Sequence, residues 1–90
     1  MMSVVLLYMV LGHGETHDEF YFHGTAFTGY LKCIEYYESY DETLLKGIMR
    51  FGTEKYGTDN WTIDEIGCVT QTMNTAGEVQ IKDKRAIIKQ

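Results

Sequence analysis

Proline is absent from the 90 residues, so nothing of that kind marks a linker, and the chain reads as one domain over residues 1–90. Cysteine is sparse. Cys33 and Cys68 lie far apart in the sequence and outside any Cys-x-x-Cys motif. That is too thin a pattern for a disulfide framework, and reduced thiols in a cytoplasmic protein are the expectation. Long apolar runs are missing as well. The stretch Val4–Leu11 is too short to span a bilayer, has no basic residue before it and reads as a buried strand, so no membrane partner is expected. There is no Gly-x-Ser-x-Gly elbow, and neither cysteine has a histidine near it in sequence, which removes the common signatures of nucleophilic catalysis. Gly12-His13-Gly14 follows a strand as a phosphate loop would, but acidic residues and another apparent strand come next rather than a helix start.

Positive charge is scarce in the first half. Residues 1–45 hold seven acidic residues against Lys32, a balance of −6, and residues 46–90 hold seven basic and six acidic, a balance of +1. The sum is the formal net charge of −5. An acidic body disfavours non-specific nucleic-acid binding, which is driven by phosphate contacts, and favours a protein partner with a basic surface. The tail from Lys82 to Gln90 is the exception at +3, from Lys82, Lys84, Arg85 and Lys89 against Asp83. It suits a solvated edge strand, or head-to-tail self-association with the acidic half.

What is present divides into strand and helix patterns. Ser3–Gly12 is continuously apolar, as in a strand covered on both faces. Gly12–Asp18 is polar and glycine-punctuated, hence a loop, and Glu19–His23 is a short aromatic strand. Phe27, Leu31, Ile34 and Tyr37 fall at helical spacing, with Thr25 or Thr28 as candidate caps. A second helix is expected from an N-cap at Asp41, with Leu44, Leu45, Ile48 and Met49 inward, Lys55 near its negative end and Gly57 beyond it. Gly47 and Gly52 inside that helix each cost about 1 kcal/mol relative to alanine, which close packing would explain. Thr62–Met73, the turn Asn74-Thr75-Ala76-Gly77 and the alternating Val79 and Ile81 form a hairpin. The expected fold is therefore α+β: an antiparallel sheet of about four strands in β-β-α-α-β-β order, with two helices packed on one face. Leu44–Trp61, with Tyr56-Gly57 and Asn60-Trp61, resembles the first helix and turn of a Myb or SANT module over about a fifth of the chain. The β-branched stretch that follows replaces that module's two further helices, so DNA binding is not carried over.

Three groups of residues are candidate sites. His13, His17 and His23 crowd into one stretch with Glu15, Asp18 and Glu19, a donor set that suits zinc or another divalent metal if the loop gathers it. His13 and His23 would then approach each other across the hairpin, with His17 at its tip. The spacing is not that of a zincin helix. Tyr36, Tyr37 and Tyr40 lie among Glu38, Asp41 and Glu42, which provides aromatic anchors within an acidic rim for a basic protein surface. Trp61 joins them as a candidate wall of a small-molecule pocket at a subunit interface. With no catalytic motif, the expectation is a non-enzymatic inhibitor or adaptor, of the bacteriophage or mobile-element kind that blocks host machinery including defence systems, able to form a homodimer. A metal-dependent protein and a small-molecule sensor or sponge are the alternatives.

Overall fold

The computed structural model describes residues 2–90. Its strands are β1 (Met2–His13), β2 (Thr16–Phe27), β3 (Thr62–Met73) and β4 (Val79–Lys89), and a single helix, α1 (Tyr30–Tyr56), joins β2 to β3. All four strands form one antiparallel sheet in the order β2-β1-β3-β4. The element order is thus β-β-α-β-β, which corrects the expected β-β-α-α-β-β order and its two helices. The two predicted helical segments run into one element whose only non-helical backbone lies at Tyr40 (φ −124°, ψ 21°). Asp41 begins no new helix, and its carboxylate accepts a hydrogen bond from the adjacent Glu42 N–H. Gly29, in extended conformation and with no side-chain cap, starts α1 in place of the expected threonines. Gly57 ends it in the left-handed conformation, donating its N–H to the Thr53 carbonyl.

The predicted loop Gly12–Asp18 is also corrected. His13 pairs with Thr16, so only Gly14 and Glu15 turn the chain, with Gly14 at φ +63°. Polar residues from Thr16 to Asp18 therefore lie within β2, and Phe27 ends that strand instead of starting a helix.

β1 is central, flanked by β2 and β3, and both its faces are apolar. Val5, Leu7, Met9 and Leu11 point to the helix side and pack with Ile66, Cys33, Tyr37 and Ile48. Across this core Cys33 of α1 and Cys68 of β3 form a disulfide, both cysteines fully buried. The expectation of reduced thiols is corrected accordingly: the two residues are distant in sequence, but helix docking sets their Cα atoms 6.3 Å apart. Trp61 covers Gly52 so closely that a Cβ there would lie 2.4 Å from the indole.

The opposite sheet face has no helix, yet Leu6, Tyr8 and Val69 are buried there. On a flat sheet β2 and β4 would lie about 14 Å apart, three strand spacings. Twist and coil bring these edges together over the face, and Lys84 of β4 meets the carboxylate of Glu19 on β2. Beneath this clasp Lys84 Nζ lies 5.6 Å from the Tyr8 ring centre, Tyr8 donates to Glu65 and Tyr21 donates to Glu19. Gly67 leaves room for the Tyr8 ring, since a Cβ at that position would lie 2.9 Å from Tyr8 Cε1 and 2.3 Å from the Arg85 carbonyl oxygen. Lys84 reaches this face through a bulge. β3 advances two residues from Cys68 to Thr70 while β4 uses three from Lys82 to Arg85, and Asp83 takes φ +56°. The extra residue reverses the alternation, turning Lys84 to the open face and Arg85 to the helix face, where its guanidinium stacks 4.0 Å from the centre of Tyr30. Tyr30 fixes the bulge by donating to the Asp83 carbonyl.

Gly47→Ala, where an added Cβ meets nothing within 4 Å, gains helix propensity and raises stability by about 0.5–1 kcal/mol. Gly52→Ala gains the same propensity but collides with Trp61, for a net loss on the order of 1–2 kcal/mol; thermal melts should move in opposite directions. The disulfide closes a separation of 35 residues, which in the chain-entropy account corresponds to about 3–4 kcal/mol. Melts of the oxidised and fully reduced protein should differ by more than about 10 °C.

Candidate functional site

The broken helix sits off-centre over the sheet and leaves part of the edge strand β2 uncovered. Phe20 and Phe22 project from β2 toward the helix, and Thr43, Leu44, Gly47, Ile48 and Phe51 of α1 face them. With Met9 below and Tyr21 at the side, they line a groove of about 440 Å³. Gly47 presents no side chain to the groove, and the space beside its Cα is open, since a Cβ there would meet nothing within 4 Å. Phe51, 40% exposed, stands edge-on to Phe20 at 5.0 Å. The same seam continues toward the helix N-terminus as Phe27, Tyr36 and Tyr40, with successive ring centres 5.3 and 5.0 Å apart. Toward the other end Lys55 Nζ lies 5.4 Å from the Phe20 centroid and 6.0 Å from that of Tyr56, whose ring stacks on His13. Aromatic side chains thus follow nearly the whole line where α1 meets β2.

The predicted tyrosine and acid residues share a helix but not a face. Tyr37 is buried in the core; burial and the charge of Asp41 push its phenol pKa up. Tyr36 and Tyr40 turn toward the seam, and Tyr40 is 54% exposed at the break in the helix. Residues two apart on a helix point in nearly opposite directions, so Glu38 and Glu42 project away from Tyr36 and Tyr40 respectively. Glu38, Asp41 and Glu42 are all exposed. Trp61 lies apart from this group. Its indole N–H donates to Thr53 Oγ1, and its ring borders a separate hollow with Met49, Ile63 and Gln90.

The three histidines are likewise dispersed. His13 stacks on Tyr56 at 4.7 Å. His17 Nδ1 lies 2.7 Å from Asp64 Oδ2. His23 sits six residues further along β2, about 20 Å in an extended strand, with its ring edge-on to Tyr21. Among the described residues no three His, Cys, Asp or Glu side chains converge as a metal-ligand set.

The open sheet face holds the other polar cluster. Burial pushes the Tyr8 phenol pKa well above its ordinary value, helped by the bond to Glu65 and the charges of Glu65 and Glu19. The Tyr21 phenol is pushed up to about 12 by burial and Glu19; on the helix side, outside this cluster, that of Tyr56 is pushed up to about 12 by burial and its bond to Asp18. These phenols are therefore neutral donors near pH 7. Burial works against the charge on Glu19, but bonds from Lys84 and Tyr21 and the Lys84 charge outweigh it and hold the carboxyl below its usual range. On the open face Tyr8 and Tyr21 satisfy Glu65 and Glu19, and this cluster with Lys84 holds the sheet closed. The groove was not legible from the sequence: Phe20 and Phe22 read only as part of a short aromatic strand, and Gly47 within a helix suggested close packing.

Comparison of this chain with protein families, curated proteins and solved structures finds no match. Among the described residues, no helix is long and apolar enough to cross a membrane.

The lowered Glu19 pKa has a pH consequence. A carboxylate with a depressed folded-state pKa contributes stability above its unfolded value, near pH 4, and loses it as pH falls through the folded value. Lys84→Met removes the clasp. The melting-temperature gap between the native protein and this variant should therefore be widest near pH 6–7 and narrow toward pH 3.

Proposed function

We propose that this chain is a small non-enzymatic binding protein whose binding site is the aromatic groove between α1 and β2. The observation that carries this reading is the exposed Phe51 beside an apolar groove of ligand size, held open by a glycine that costs the helix stability. A soluble domain keeps such a hollow at a loss unless something fills it, and a volume of this order lies within the range of small-molecule sites. This is the sensor or sponge function, with the groove between helix and edge strand in place of a pocket around Trp61.

A second reading, the inhibitor or adaptor of phage or mobile-element type, is favoured by one observation. Glu38, Asp41 and Glu42 are exposed, and none is in an ion pair within 4 Å among the described residues. A basic protein would meet this flank, with Tyr40 at its border. In the cytoplasm, burial of both sulfurs would shield the disulfide from reducing thiols.

The test is an amide-shift NMR screen of small apolar fragments. Hits should perturb Phe20, Phe22, Gly47 and Phe51, and Gly47→Leu, which fills the groove, should abolish them while the fold persists. Hits that cluster at the Trp61 hollow, or that survive Gly47→Leu, would overturn the groove as the site.

A further inference from the structure

The chain as a whole is acidic, but the groove is bordered by cations. Across residues 46–56 of α1, Lys46, Arg50 and Lys55 face one acid, Glu54, a local balance of +2 in a chain of net charge −5. Lys55 follows Phe51 by four positions and stands one turn beyond the groove lining, while Arg50, three after Gly47 and next to Phe51, stands beside it, with Glu54 between the two. Both are exposed. The ion pairs among the described residues are His17–Asp64 and Lys84–Glu19, so neither cation is held within 4 Å of a carboxylate. Lys55 Nζ lies over the face of Phe20, which is itself groove wall, so the positive charge is directly continuous with the apolar surface.

From these features the geometry points to a specific ligand class for the groove: a small amphiphilic anion, with its apolar or aromatic body between Phe20, Phe22 and Phe51 and its acidic head at Lys55 and Arg50. This rests on the groove being the binding site proposed above and adds the chemistry of what enters it. The apolar body gains by leaving water, and the head group gains from two cations beside a low-dielectric wall. Neutral apolar compounds would fill the same space without that second contribution. Glu42, the nearest member of the acidic flank, lies eight residues before Arg50, about 12 Å along the helix, which leaves Glu54 as the one acid beside the head-group cations.

Two fluorescent probes separate the contributions. 8-Anilinonaphthalene-1-sulfonate carries an acidic group on the same rings as the neutral N-phenyl-1-naphthylamine. The quantity read is the ratio of their dissociation constants. Arg50→Met/Lys55→Met should shift that ratio about tenfold toward the neutral probe, the combined size of two partly exposed ion pairs. Raised ionic strength should shift it in the same direction. Gly47→Leu should abolish binding of both probes, with melting curves confirming that each variant is folded. If the ratio is unchanged in the double variant while Gly47→Leu still blocks both probes, the anion preference is overturned and the groove stands. If Gly47→Leu leaves both probes bound, or the native protein binds neither, the ligand class and the groove fall together.

Discussion

The rest of the structure depends on β1 being apolar on both faces. A strand of that kind needs two covers, and the described residues supply only one helix. α1 covers Val5, Leu7, Met9 and Leu11. The second cover is made by the sheet itself, which coils until its two edge strands meet over Tyr8 through Lys84 and Glu19. This arrangement determines three local features that otherwise look unrelated: the missing side chain at Gly67, the left-handed Asp83 and the pairing of phenols with carboxylates. Together they let the face close over a ring, and among the described residues no buried side-chain nitrogen or oxygen lacks a hydrogen-bond partner.

Covering the centre of the sheet with one helix leaves its margin bare. α1 is about as long as the molecule, roughly 40 Å from 27 residues, against a longest dimension of 41 Å. It is bent at Tyr40 and pinned near each end, by the disulfide at Cys33 and by Trp61 over Gly52. Between the pins it bridges Phe20 and Phe22 without filling the space above them. The groove is thus a by-product of spanning a coiled sheet with a rod, made usable by a glycine at its middle.

Much of the strand pattern was legible because apolar runs and turn residues act locally. The Asn74 turn is an example: its side-chain carbonyl accepts the N–H groups of Ala76 and Glu78, a bond any sequence with asparagine there would favour. The single helix was not legible, because Asp41 after three tyrosines looks like a start signal, and only tertiary packing carries helical backbone across Tyr40. The length of β2 was hidden for a related reason. His17 and Asp18 are loop-like by composition, yet Asp64 on β3 and Tyr56 on α1 give their side chains partners. The candidate site divided in the same way. Residue types suggested tyrosine and acid together, while helix geometry, which acts at intervals of 100°, sends them to different sides. The cysteine pairing lay beyond reach, since sequence distance says nothing about which thiols a docked helix will bring together.

The disulfide also alters the path by which the chain finds its sheet. The central pairing of β1 with β3 joins Leu7 to Cys68, positions 61 apart along the chain (68 − 7). Once Cys68 is bonded to Cys33, the covalent route from Leu7 runs only to Cys33, 26 residues away (33 − 7). The search that brings the N-terminal hairpin onto a distant strand is thereby cut to less than half its contour. The redox state of this one bond therefore alters how far the chain must search for its native topology, as well as how firmly it holds it.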